Sequence, residues 1–94
     1  MQWRLASVGD ALGFAQHLRN RALGYGAEKT AQELEHFFAN RTGDTGENLR
    51  RLRDVLVAVS DEVKARFPAD DGQEVASVLG ELERLVDRLD HARR

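Results

Sequence analysis

Leu49, Leu52, Leu56, Val59 and Val63 follow one another at steps of three and four. A helix with 3.6 residues per turn returns such residues to one face, whereas a strand divides them between two. Val55 and Phe67 widen this seam. Val75, Val78, Leu82, Leu85, Leu89 and Ala92 repeat the pattern, with Leu79 and Val86 beside it. The two runs, Glu47–Phe67 and Gln73–Ala92, are each about 20 residues, or ~30 Å as helices. Pro68 stops the first run, and "PADDG" is a short loop before the second. So short a connection predicts an antiparallel helical hairpin.

Two shorter segments precede the hairpin. From Trp3 to Leu23, Leu5, Val8, Leu12, Ala15, Leu18 and Ala22 make one helical face. Gly9 and Gly13 weaken this helix by ~1 kcal/mol each, and Gly24 is expected to end it as the left-handed residue. From Ala27 to Asn40 the stripe is Ala27, Ala31, Leu34 and Phe38, with Phe37 adjacent. "RTGDTG", Arg41–Gly46, is a loop. Asp44 with Glu47, and Asp71 with Glu74, have the spacing of reciprocal helix caps. No strand candidate, repeat or low-complexity tract is present. The expected fold is all-α: one domain over residues 1–94, a compact four-helix bundle whose helices 3 and 4 form a long antiparallel hairpin.

Composition narrows the function classes. Ninety-four residues support a small single core. There is no cysteine, which excludes disulfides, thiolate catalysis and cysteine-held metal. No apolar run reaches the ~20 residues that cross a bilayer. The N-terminal "MQWRLASVGD" does not read as a signal peptide, so a cytoplasmic protein without membrane contact is expected. The net charge of −2 disfavours nucleic acid as a partner. Residues 1–53 hold eight Lys/Arg against six Asp/Glu, and residues 54–94 six against ten. This asymmetry suits pairing within the fold or between chains. The seams fit a closed monomeric core, with a homodimeric four-helix core as the alternative.

No catalytic set emerges. Glu33-x-x-His36 has di-iron spacing but lacks its second copy, so neither metal nor cofactor is expected. Ser7, Ser60 and Ser77 lie in helical stretches without a nucleophile elbow. "GDTGEN" lacks the lysine and the preceding strand of a phosphate loop. The arginines carry more information. Arg50, Arg51 and Arg53 crowd the first turns of the third helix, against its dipole. Local pairing with Glu47, Asp54 or the acidic fourth helix offsets that charge, or an acidic partner does. A partner-binding surface is therefore expected to combine Arg50, Arg51 and Arg53 with Arg19 and Arg21 near the end of the first helix.

The stretch "HLRNRALGYG", His17–Gly26, resembles the phosphoacceptor region of histidine phosphotransfer domains. These are four-helix bundles that pass phosphoryl groups to and from receiver domains. With Gln16 in the phosphoacceptor position, Leu18 and Arg19 fall where leucine and lysine are expected, and Gly26 and Ala27 where glycine and alanine are. Ala31, Leu34 and Phe37 continue the spacing, and the likeness spans about residues 10–67. Gln16 cannot carry phosphoryl as imidazole does. His17 lies one residue on, about 100° round a helix. Asn20 replaces the glycine that gives a receiver close access. The helix before the phosphoacceptor helix is missing, and one is added at the C-terminus. The resemblance thus implies a phosphotransfer-like bundle without phosphotransfer. "LRN" also resembles the H-box of histidine kinases, again with Gln16 in the histidine place.

The expected function is a non-enzymatic, protein-binding regulatory module: an adaptor, inhibitor or small subunit. The alternatives are a phosphorelay-like module using His17, a small nucleic-acid-associated regulator, and an inhibitor encoded by a mobile element.

Overall fold

The computed structural model describes residues 8–92, which form five helices and no strand. Helix α1 is Val8–Tyr25, α2 Glu28–Ala39, α3 Thr45–Ala58, α4 Ser60–Arg66 and α5 Ala69–Ala92. Trp3 and Leu5 of the expected first seam lie outside the described residues. α1 packs most closely on α2, and α3 on α5, with α2 and α1 also touching α3. The principal extents are 41 × 25 × 20 Å.

The core follows the seams in part: Leu12, Leu85 and Leu89 are half-buried, while Ala11, Phe14 and Val86 beside them are buried. Ala11, Phe14, Ala15, Leu18 and Ala22 of α1 meet Ala31, Leu34 and Phe37 of α2. Leu49, Leu52 and Leu56 of α3 and Val78, Leu82 and Val86 of α5 complete it. Phe37, not Phe38, is the buried aromatic of α2. Phe38 is half-buried and stands edge-on to Phe37, with the Arg41 guanidinium 5.7 Å from its ring centre. The buried side of α2 is Thr30, Ala31, Leu34 and Phe37, where Thr30, Leu34 and Phe37 step by four and three along one face and leave Phe38 at its edge.

The expected third helix is two helices. At Val59 the backbone relaxes to φ −98°, ψ 3°. The bonds from Val59 N–H to Val55 O and from Val63 N–H to Val59 O survive on either side. Neither glycine nor proline causes the break. Instead Ser60 Oγ donates to the Val57 carbonyl at 2.9 Å, and Lys29 Nζ to the Ala58 carbonyl at 3.4 Å. A serine bonding backward onto the ladder bends a helix in this way. α4 ends at Phe67, whose extended φ −87°, ψ 148° is what the following Pro68 requires.

Turns also differ from expectation. Gly26, at φ 71°, is the left-handed residue that ends α1, while Gly24 stays helical. The Ala27 amide donates to Ala22 O at 2.9 Å, the six-to-one bond of a Schellman turn. Asp44 does cap α3, accepting from the Glu47 amide at 3.1 Å. The return half of that cap is not made: the Asp44 amide donates to Thr42 Oγ1, and Glu47 holds Arg51. α5 starts at Ala69, four residues earlier than expected, so "PADDG" is largely helix. Asp71 is thereby in the first turn and no cap. The buried Asn48 closes the α2–α3 loop, donating to Thr42 O at 2.8 Å and accepting from the Thr42 amide at 3.0 Å.

Candidate functional site

The five arginines singled out in the sequence do not form one patch. α3 begins at Thr45, so Arg50, Arg51 and Arg53 lie in its second and third turns. The dipole penalty fades within the first turn and does not reach them. Each side chain has a carboxylate partner. Arg19 pairs with Glu35 at 3.3 Å, joining α1 to α2. Arg21 pairs with Asp71 at 3.4 Å, joining α1 to α5. Arg50 pairs with Asp90, joining α3 to α5. Arg51 bonds Glu47 at 2.9 Å and donates to the Asn40 carbonyl at 2.9 Å, a cation at the C-terminal end of α2 where the dipole welcomes it.

Arg53 differs. Its partner is Asp54, the next residue in the chain, at 3.2 Å and with its side chain 70% exposed. An exposed pair between sequence neighbours is weak and exchanges readily with water or another partner. Arg53 lines an open groove between α3 and α5 with Val57, Gly80, Glu83, Arg84 and Asp87. Val57 is 54% exposed, one of two large apolar side chains so exposed among the described residues. Around it stand cations and carboxylates of both signs. Gly80 leaves open space where a side chain would otherwise project.

A second cluster joins the ends of α1 and α5. The Tyr25 hydroxyl donates to Asp71, and Arg21 Nη1 donates to the Tyr25 oxygen at 3.1 Å. The bond it donates to Tyr25 and the charge of Asp71 hold the Arg21 guanidinium protonated more firmly than usual. Tyr25 also stands edge-on to Phe67, ring centres 5.0 Å apart, so the Gly-Tyr-Gly segment folds over the core. His17 is half-buried here and lines a cavity with Phe14, Leu18, Arg21, Phe67, Asp71 and Glu74. The cavity measures about 10 Å³, at the limit for one water and too small for a ligand. His17 thus borders this small cavity while staying partly exposed. Gln16 is exposed, in a separate groove with Arg19, Glu35 and Phe38.

The arrangement around Glu62 was not foreseen. Its Oε1 accepts from the Thr30 amide at 2.6 Å and the Thr30 hydroxyl at 2.7 Å, and its Oε2 from the Lys29 amide at 3.3 Å. Ala27 occupies the N-cap place of α2 and has no side-chain acceptor. A residue 32 positions away in sequence supplies the cap. The missing local cap before Glu28 was the one sequence signal for it, and it names no substitute. Glu33 and His36 share α2, and no three potential metal ligands gather among the described residues. Nor is any helix among them long and apolar enough to cross a membrane.

No protein-family model matches the chain, and neither a curated protein nor a solved structure shows significant similarity to it. The likeness to phosphotransfer domains therefore rests on the residues quoted for it.

Proposed function

We propose that this chain is a non-enzymatic helical module that binds another protein through the α3–α5 face. The observation that carries the reading is the contrast among the arginines. Arg19, Arg21, Arg50 and Arg51 tie one element to another, while Arg53 is held only by its neighbour and sits beside the exposed Val57. The contact surface accordingly narrows from five arginines to Arg53, with Val57 and Arg84 added. Glu83, Asp87 and Asp54 offset the two cations, which favours a protein of mixed charge over a nucleic acid. The absence of a nucleophile motif in the sequence supports a binding role without catalysis.

In finer architectural terms, α3 and α4 act as one bent third helix, and the chain is a four-helix bundle. Arg50, in the second turn of α3, meets Asp90, near the end of α5, which supports an antiparallel hairpin. A second reading, a phosphotransfer-like module that docks receiver domains, draws support from the exposed Gln16 beside Arg19 on the α1–α2 groove. In that reading His17, half-buried and bordering the same small cavity as Asp71 and Glu74, is poorly placed to accept phosphoryl.

The test is a pair of folded variants. Arg53→Glu with Val57→Asp should abolish capture of the proteins that the wild-type chain retains, while Arg19→Ala leaves capture intact. Unchanged capture by the double variant, with unchanged circular dichroism, removes this face as the contact surface.

A further inference from the structure

The break at Val59 and the cap on α2 lie side by side. α4 has seven residues and leaves α3 where Ser60 and Lys29 take the carbonyls of Val57 and Ala58. Immediately after the break, Glu62 takes the amides of Lys29 and Thr30. Amides in the first turn of a helix have no acceptor within it, so the ordering of these two depends on that carboxylate. Lys29 thus touches both sides of the break, through its backbone to Glu62 of α4 and through its side chain to Ala58, the last residue of α3. Thr30 is fully buried, and its hydroxyl is satisfied by the same carboxylate. Val63, one residue after Glu62, is the buried residue of α4.

We propose that residues 60–66 are a hinged segment, pivoting at Val59 and fastened to α2 by Glu62, which opens together with the first turn of α2 while α1, α3 and α5 remain folded. Three features support it. The helix is already interrupted at the pivot. Its polar fastening to α2 is one side chain, Glu62, and its apolar anchorage is one buried side chain, Val63. The segment is short enough that its own helical bonds cannot hold it without docking. Opening uncovers Val63 and frees the amides of Lys29 and Thr30. The inference stands apart from the binding surface on α3 and α5 and does not depend on it.

Native-state hydrogen exchange on the whole chain tests it. In the wild-type protein the amides of Lys29, Thr30 and residues 63–66 should share one opening, faster than that of Leu18 or Leu82. Glu62→Gln replaces one acceptor oxygen with a donor and removes the charge. It should accelerate exchange at Lys29, Thr30 and residues 63–66 about fivefold or more, the scale of a lost helix cap. Leu18 and Leu82 should change little. Equal acceleration everywhere would mean that Glu62 stabilises only the whole fold, and no acceleration would mean that it fastens nothing; either result overturns the proposal. Should the glutamine variant fail to fold, Thr30→Val removes the hydroxyl donor alone and is read at the same amides. Wild-type exchange at Thr30 as slow as at Leu82 also overturns it.

Discussion

Glu62 stands between two opposing effects. Partial burial pushes its carboxyl upward, but the bonds from Thr30 and Lys29, aided by the charge of Arg66, outweigh this and leave it below the usual carboxylate range. A depressed carboxylate stabilises the fold above its unfolded value, ~4.3, and that stability is lost as pH falls through the folded value. Glu62→Ala should therefore cost about 1 kcal/mol near neutral pH, the scale of an N-cap. The difference between variant and wild type should shrink as pH drops below about 4. Urea denaturation midpoints from pH 7 to pH 3 check this; a gap that widens with acid refutes the sign. Arg50 shows the same competition in a cation: the bond it donates to Asp90 outweighs the cost of burial and raises its affinity for the proton, so it stays a cation throughout that range.

Two glycines separated by one residue have opposite roles at the scale of the turn. Gly26 holds φ 71°, where a side chain is strained, and lets α1 end in a Schellman turn. Gly24 is helical, with open space where a side chain would project. Gly26→Ala should destabilise by ~1–2 kcal/mol, whereas Gly24→Ala should stabilise by up to ~1 kcal/mol. Thermal unfolding of the two variants decides the matter, and the same sign for both would contradict the assignment of the turn. The α3–α4 break belongs to this scale as well. Val57 and Val59 are weak helix formers, but the break comes from side chains competing for the carbonyls of Val57 and Ala58. One of those side chains, Lys29, comes from another helix.

At the scale of the whole molecule, most of the apolar seam residues among the described residues are buried, with Leu12, Leu85 and Leu89 half-buried at the edge of the core. Leu49, Leu52, Leu56, Val59, Val63, Val78, Leu82 and Val86 are each 3% exposed or less. A dimer that shared these seams would have to open the core of each chain. The chain should accordingly run as a single species of 10.6 kDa in light-scattering chromatography at micromolar concentration. A stable species of twice that mass would show that a second copy covers some other face. The interhelical arginines fit the same picture. Four of them close contacts between elements, and exposed pairs of this kind set orientation more than they add stability.

The helices and their inner faces were legible because periodicity is a local property: a leucine every three or four residues has to be covered, whatever covers it. The stop at Pro68 and the cap at Asp44 were legible for the same reason. Gly24 and Gly26 carry the same local signal, and which one turns left-handed depends on where α2 must dock. Asp71 has the spacing of a cap, but Tyr25 and Arg21 claim its carboxylate only once α1 lies against α5. Arg50, Arg51 and Arg53 look alike in sequence, and position alone separates a tie to α5, a cap on α2 and a side chain free to exchange its partner. The amino acids by themselves determined that the chain is helical and which sides of the helices avoid water, since that follows from backbone geometry and the hydrophobic effect. Only the tertiary structure decided which polar groups meet, because hydrogen bonds and ion pairs act over a few ångströms between residues that folding alone brings together.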